Sequence, residues 1–523
     1  MNYILFIPKI RLDQVLRPRL ASWVFLLLGF QFLSAPYPAS SAQDAEAVTA
    51  IVGATVIDGN GGEPLTNATV VVRGKRIVAV GPSSAVDVPS GAQIIDATGK
   101  YLTPGFIDTN VHISPLSGEM TFARYWDRLD DVILQGAQEH LKYGITTVRD
   151  SYGVLEPLLE IRDKIARGEV IGPRLYVAGN IVGWGGTYSE TFRGIPESEL
   201  TFFQEQINDA FTHGSGEDWM NMTPEELRVA VRSYLDLGVD FIKYGGTTHA
   251  GYPALIPFSL EAQKVIVEET HNRGLVAETH SATLEGLRLS ILAGIDLVQH
   301  PRSLGMSPIT DELLELLVDN KVICSGLQNT LTGKVWEKHL RDQAAALRRQ
   351  FLRDIEGRQA PKTTAEIRRD RQEAGIVVEV KRPNAERLID AGCIVSVGTD
   401  NLVGQAPEFR REQKPEHQDP GIGTIIAIEG LVELGMTPSE AIVAATKHGA
   451  MACKALDEFG TVEVGKLADL NLLTANPLAD IANVRKLEWT MKEGELIDPN
   501  TLPTDPIWSE WGVAMDAGKT PGR

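Results

Sequence analysis

The sequence predicts an α/β protein: a (β/α)8 barrel joined to a small β-sandwich domain that is built from N- and C-terminal segments. Three observations predict it. After Pro104, short apolar runs with strand character alternate with amphipathic helical stretches. Such alternation gives a parallel sheet, and about eight units imply closure into a barrel. Before that point, from Ile51, the run IVGATVIDGNGGEPLTNATVVVRGKRIVAVGP breaks β-rich segments with Gly, Asn and Pro, as in an all-β unit with tight turns. Near the end, VEVGKLADLNLLTANP returns to strand character and would complete that unit. The chain has 523 residues, 43% apolar and 23% charged, which is enough for one large domain and a smaller one.

The elements follow in order. Residues 1–42 carry a basic head (Lys9, Arg11, Arg17, Arg19), a short apolar run from Ala21 to Ala35, and small residues at Ser40 and Ala42. That combination describes a secretory signal peptide, and the apolar run is short for a membrane span. The mature chain would begin near Gln43 and be periplasmic or secreted. Residues 43–103 form the first part of the sandwich, 104–450 the barrel, and 451–523 the second part with a C-terminal tail. The barrel strands are expected in GITTVRD, RLYVAGNIV, VDFIKYGG, GLVAETHS, GIDLVQHP, KVICSGL and CIVSVGTDN. Between them lie helices such as SLEAQKVIVEETHNRG, opened by Ser259 and closed by Gly274. Two stretches interrupt the repeat. Residues from about 334 to 387 are dense in charge at helical spacing, either a solvated helical pair or a cap over the barrel mouth. Thr187–Thr223, rich in Gly and aromatic residues, reads as a long loop that shapes the pocket.

The formal net charge is −19, and the basic head makes the rest of the chain more acidic still. An acidic surface argues against nucleic acid and anionic membranes as partners. Cys324, Cys393 and Cys453 are far apart and odd in number, so neither a disulfide framework nor a cysteine zinc site is visible.

Chemistry is expected where barrel strands end. The first such end is GFIDTNVHISP, with Asp108, Asn110 and His112 at every second residue, a spacing that points all three the same way on a strand. Lys243 ends DFIKYGG, His280 ends VAETH, His300 ends DLVQH and Asp400 ends VSVGTD. A single strand-end His is more often a satisfied core residue than a ligand. Three His, a Lys and an Asp at one end of one barrel are the ligand types for zinc or a similar divalent ion.

From TVIDG through PGFID, GITTVRD, FIKYGG, THSAT, QHP, SVGTD and TPSEAIVAAT to GTVEVGKLADLNLL, the ordered motifs resemble the amidohydrolase superfamily, in its imidazolonepropionase-like and prolidase-like branch. The resemblance covers about Ile51 to Asp498. It implies that His112 is the second His of a first-strand pair and that Lys243 is carbamylated by CO2 and ligates metal through anionic oxygens. His280 and His300 are then the fifth- and sixth-strand ligands. Asp400 both ligates and takes a proton from the attacking water. The departure is Asn110, where the family usually has His. An amide oxygen binds zinc more weakly than imidazole. The Asn-x-His variant resembles phenylurea hydrolases, which have one metal per active site, so one Zn2+ is expected, with two as the alternative.

Substrate contacts are expected from Trp184, His249, Gln328 and Arg302. Tyr244 is included for an oxyanion, although its place on a strand equally suits outward packing. His140, His271 and His448 are expected to be structural or at the surface. The function expected is hydrolysis of an amide, urea or carbamate C–N bond of a small molecule. Alternatives are an Xaa-Pro-type dipeptidase, for which Arg302 would meet the substrate carboxylate, and a binding protein that kept the barrel and lost catalysis. A lactonase would use the same metal chemistry, whereas superfamily deaminases generally lack the fourth-strand Lys. A homo-oligomer is compatible with this architecture, and no interface is readable.

Overall fold

The computed structural model describes residues 47–507, apart from 117, 250–253, 305–306, 329–330, 356–379 and 411–412. The expected signal peptide, the middle of the charged insertion and the end of the C-terminal tail lie outside the described residues. Strands β1 (Val48–Val56), β2 (Leu65–Arg73), β3 (Arg76–Pro82), β4 (Gln93–Asp96) and β5 (Tyr101–Pro104) come first. The last three strands of the chain, β16 (Leu470–Leu473), β17 (Leu487–Lys492) and β18 (Glu495–Ile497), join them in one eight-stranded sheet. The order is β18-β17-β16-β5-β1-β2-β3, with β4 also on β1.

The strands expected to form the small sandwich are hydrogen-bonded into one continuous sheet. The reason is β1, whose register shifts near Val52 and Ala54 let one edge serve β4 at Thr49–Val52 and then β5 at Thr55–Val56. Ile51, Val70, Val72, Leu102, Leu470 and Met491 form the core of this sheet.

Ten further strands lie between. They are β6 (Phe106–His112), β7 (Ile145–Asp150), β8 (Arg174–Val177), β9 (Ile181–Val182), β10 (Phe241–Gly245), β11 (Val276–His280), β12 (Leu297–Gln299), β13 (Ile323–Ser325), β14 (Ile394–Ser396) and β15 (Asn401–Leu402). They make two parallel sheets, β15-β6-β7-β8 and β9-β10-β11-β12-β13-β14. Every residue of β6, β7 and β10 is buried, as parallel strands covered on both faces require. Backbone hydrogen bonds connect the sheets at both edges. Asp240 N–H donates to the Val177 carbonyl at 2.8 Å, and Thr109 N–H to the Val397 carbonyl at 2.9 Å.

Helices between the strands start at polar caps. The Ser259 hydroxyl accepts from the Ala262 N–H, and Thr223-Pro224 opens its helix with a reciprocal bond to Glu226. One expectation changes here, and another, the helical character of the charged insertion, holds in the described residues. The stretch expected as a loop from Thr187 to Thr223 contains the helix Phe202–Thr212, set by the Thr201–Gln204 capping box. The charged insertion contains the helix Gly333–Ile355, followed beyond the undescribed residues by the helix Arg382–Asp390. Among the described residues no helix is long and apolar enough to cross a membrane.

Candidate functional site

Asn110 and His112 reach Asp400 from the end of β6. Asp400 sits in the turn between β14 and β15, with a left-handed backbone of φ 58°. His300, just past β12, is likewise left-handed at φ 50°. Such a conformation in a non-glycine residue costs on the order of 1–3 kcal/mol, and it persists where the surroundings enforce it. At Asp400 the enforcement is visible. Its N–H donates to the Asn110 carbonyl at 2.8 Å. Thr399, next to it, is held by the Asp108 carboxylate, which accepts from the Thr399 N–H at 3.1 Å and from the hydroxyls of Thr399 (2.8 Å) and Thr424 (2.7 Å). Gly398 completes the turn, since a Cβ there would lie 2.1 Å from the Ser325 hydroxyl.

Asp108 thus does not share a direction with Asn110 and His112. The pairing of β6 with β7 shifts register between Asp108 and Val111, which breaks strict alternation. Thr109 instead meets the hydroxyls of Ser325 (2.8 Å) and Ser396 (3.1 Å).

The side chains at these strand ends are incompletely partnered. His112 Nδ1 pairs with the Tyr152 carbonyl at 3.1 Å, which makes Nδ1 the protonated nitrogen, and Nε2 lies 2.9 Å from Asp400 Oδ1. Asn110 Nδ2 donates to the same carboxylate oxygen at 3.3 Å, while Asn110 Oδ1 is buried without a partner among the described residues. His300 Nε2 stands 3.8 Å from Asp400 Oδ2. The His280 and His300 rings are 5.5 Å apart, and neither makes a side-chain hydrogen bond among the described residues. Lys243 is only 2% exposed. Its amine has no hydrogen bond or ion pair there, although Glu278 is its register neighbour on β11.

Burial therefore dominates the electrostatics. It pulls the Lys243 amine below its usual value against the attraction of Glu278, Asp400 and Asp150. It lowers His300 to about 3, against Asp400, and takes His280 well below the imidazole range. Burial alone would raise Asp400, but His300, His112 and Lys243 hold it well below the carboxylate range. Neutral imidazoles, a disfavoured ammonium and an ionised carboxylate are the protonation states that metal ligation uses.

Among the described residues, no three His, Cys, Asp or Glu side chains converge as a ready metal cluster. The Nε2 of His112 faces Asp400 directly, and two of the expected ligands are Lys and Asn. The donor chemistry nevertheless fits a divalent cation. It includes an orphaned amide oxygen, a buried amine without an ion pair, and two imidazoles without a side-chain hydrogen bond, all among the described residues.

The expected substrate contacts divide. Trp184 is buried edge-on to His280 at 5.1 Å, its indole N–H donating to the Thr247 carbonyl. His249 is exposed, stacked on Phe192 at 4.7 Å and 5.8 Å from His280. These two form an aromatic wall on the His280 side. Gln328 donates to the Gly398 carbonyl at 2.9 Å, which places it behind the Asp400 turn. Arg302 is buried with one N–H on the Gly326 carbonyl. Tyr244 is corrected: its hydroxyl donates to Gln263 Oε1 at 2.9 Å, on the helix Leu260–Asn272. Adjacent strand residues face opposite ways, so Lys243 and Tyr244 cannot both face the site.

His140, bonded to the Gly136 carbonyl and Asn401, is structural, as is His448 on the Val395 carbonyl, and His271 pairs with Asp296 at the surface. Sequence reasoning missed His417. It is buried, neither ring nitrogen has a partner among the described residues, and it lines with Gln328 and Thr399 a small cavity behind the same turn. It lies in the short helical turn Glu416–Gln418, where no periodic pattern marks it.

Comparison with known proteins supplies the context. The model of the amidohydrolase family matches residues 101–497. Ochratoxinase of Aspergillus niger is 26% identical over 459 residues, 84% of this chain and 83% of that protein. The structure of molinate hydrolase superposes with a TM-score of 0.75 at 31% identity, covering 88% of this chain and 97% of the other. That of phenylurea hydrolase B gives 0.75 at 30%, covering 88% and 99%.

Proposed function

The chain belongs to the amidohydrolase family, and from that premise we propose that it is a metal-dependent hydrolase of an amide, urea or carbamate C–N bond in a small molecule. The two joined parallel sheets are read as one (β/α)8 barrel interrupted in its third and eighth strands. The observation that carries the reading is the set of ligand-type groups gathered at one end of those strands that make no side-chain hydrogen bond among the described residues: Asn110 Oδ1, Lys243 Nζ and the rings of His280 and His300, the last 3.8 Å from Asp400. His112, Lys243 as its carbamate, His280, His300 and Asp400 would hold one divalent ion, with zinc the expected element and Asn110 a weak or absent ligand.

When bound, such an ion supplies Lewis acidity, which acidifies a water and polarises a carbonyl. The chain's own groups do the rest. Asp400, fixed by Asn110 and by its strained turn, accepts the proton of the attacking water at Oδ2, since Oδ1 already faces His112 and Asn110. It then returns that proton to the leaving nitrogen, so water adds across the C–N bond to give an acid and an amine. The His112 imidazole is kept in one tautomer by the Tyr152 carbonyl. A buried amine without a counterion gains by becoming a carbamate, because the product is an anionic oxygen ligand beside a cation. Trp184 and His249 present aromatic surface to whatever lies beside His280.

Metal content per chain, measured by mass spectrometry on protein produced with bicarbonate and divalent metals, tests the reading. About one ion is expected. About two would mean that Asn110 still supports a second site. None after reconstitution would sink the mechanism and favour a binding protein on the same fold. Export on residues 1–42 is a separate proposal, checked by whether the secreted chain begins near Gln43.

A further inference from the structure

Behind the Asp400 turn lies a cavity that the mechanism above does not use. Gln328 lines it from the segment after β13, Thr399 from the turn itself and His417 from the short helical turn Glu416–Gln418. Gly423, Ile426 and Ala427 close it from one face of the helix Ile422–Glu433. Close approach builds this enclosure. A Cβ at Gly423 would lie 2.8 Å from the His417 carbonyl, and one at Gly430 would lie 3.2 Å from the Gln328 Cβ. Glycine at both positions lets the helix pack tightly on both segments. The cavity measures about 10 Å³, close to the least that one water molecule needs.

Two buried side chains face it with hydrogen-bonding capacity to spare. His417 is 9% exposed, and neither ring nitrogen has a hydrogen bond among the described residues. Burial, and then the nearby Lys414 charge, hold the imidazole below its usual value, so the ring is neutral with one N–H and one lone pair. Gln328 is 1% exposed. Its Nε2 donates to the Gly398 carbonyl at 2.9 Å, while its Oε1 is buried with no hydrogen bond among the described residues. Thr399 can donate to neither group, because its hydroxyl already donates to Asp108 at 2.8 Å. Ile426 and Ala427 offer only hydrocarbon. Buried polar groups of this kind are costly unless something supplies their bonds.

We propose that this cavity is a site for one ordered water, and that His417 is a positioning residue that acts through that water on Asp400. A water has two hydrogens and two lone pairs, so it can donate to Gln328 Oε1 and also meet either ring nitrogen of His417. The route to Asp400 is short. Gln328 holds the Gly398 carbonyl, His417 and Thr399 wall the same cavity, and Asp400 is the next residue, in its left-handed turn. The bridge thus ties the Glu416–Gln418 turn to the strained turn that aims the carboxylate. What Asp400 does chemically rests on the hydrolase reading above, whereas the water site rests on the cavity and its two polar walls.

The test is a high-resolution crystal structure of the full-length protein, followed by variants. One water is expected at about 2.7–3.2 Å from both Gln328 Oε1 and a His417 ring nitrogen. No water there, or a water that meets only one of the two, overturns the proposal. Ala427→Val fills the cavity without touching a polar group, and His417→Phe removes the ring nitrogens. Both are expected to expel the water and to carry the Asp400 carboxylate out of reach of Asn110. An Asp400 turn that superposes on the wild type in both variants overturns the positioning role. On an amide that the wild type cleaves, both should lower kcat by about 10–100-fold with KM nearly unchanged, and His417→Gln, which keeps a donor and an acceptor, should recover most of the loss. His417→Gln as slow as His417→Phe, or His417→Phe as fast as the wild type, overturns it as well. Should His417→Phe fail to fold by circular dichroism, Ala427→Val and His417→Gln carry the test. If the wild type cleaves no amide, yet the water and the shift of Asp400 are found, the hydrolase reading falls alone.

Discussion

Glu278 and Lys243 are register neighbours on adjacent strands, and they live in opposite electrostatic conditions. Glu278 is matched at 2.6 Å by Arg149, both side chains at most 1% exposed, and it also accepts from Gln299 at 3.2 Å. Lys243 has no hydrogen bond or ion pair among the described residues, although Glu278, Asp400 and Asp150 attract its amine from further off. The same strands thus carry a neutralised pair and, toward their C-terminal ends, a set of groups whose charges and lone pairs nothing in the described chain satisfies. Matched groups hold the strands together. Unmatched groups are held in place by their neighbours, and the metal proposed above would satisfy them.

Four measurements break or sharpen that contrast, beginning with the largest effect. Asp400→Asn removes the proton acceptor while keeping the shape of the turn. It is expected to lower kcat by about 10²–10⁴-fold on any amide that the wild type cleaves, with little change in melting temperature. A loss of stability without loss of kcat would assign Asp400 to the fold.

Glu278→Ala strands the Arg149 guanidinium and is expected to cost about 3–5 kcal/mol in denaturant unfolding. Lys243→Met is expected to leave the metal-free protein at least as stable as wild type while it abolishes metal uptake. Equal destabilisation by both variants would erase the distinction between the two groups.

The third measurement concerns Glu493, which pairs with Lys75 at 2.7 Å and Arg174 at 2.9 Å. Burial opposes its ionisation, but Lys75, Lys492 and Arg174 together bring its carboxyl down to about 2. Its folded pKa lies below its unfolded value. The stabilisation is therefore complete above pH of about 4.5 and is lost as pH falls toward 2. Glu493→Gln should flatten the acid limb of the stability curve by about 2 kcal/mol, read from urea midpoints between those limits. An unchanged limb would show that the network is not responsible.

The smallest effect is expected of Tyr244→Phe. It removes the bond to Gln263 and should cost about 1 kcal/mol with kcat and KM unchanged. A raised KM would return Tyr244 to the site.

Much of this was legible because the barrel rule places chemistry where apolar runs end. Five polar residues at such ends could be read directly, from His112 to Asp400. What was not legible depends on contacts between distant segments. Asp108 looks like a third member of the Asn110–His112 row, yet a register shift turns it to Thr399 and Thr424. Tyr244 and Lys243 are adjacent, and only packing decides which one faces in. His417 sits in a short turn with no period to expose it. Arg302 was visible as a cation beside His300, but its lack of an ion pair among the described residues is a property of the fold, since the chain has acidic residues in abundance. The Thr201–Gln204 capping box was present in the sequence and would have revealed a helix inside the supposed loop.

The first sheet has a consequence for how the protein is made. β5 is flanked by β1 on one side and by β16 on the other, with Tyr101 opposite Leu473. More than three hundred residues separate those partners. A ribosome has therefore emitted all of the intervening barrel before the opening strands can acquire their last neighbours, and contacts of such long range form slowly. During that interval the edge of β5 is bare, and an unpaired edge invites the wrong partner. Chaperone demand should thus track the arrival of β16, and a chain truncated before β16 should aggregate rather than fold in part.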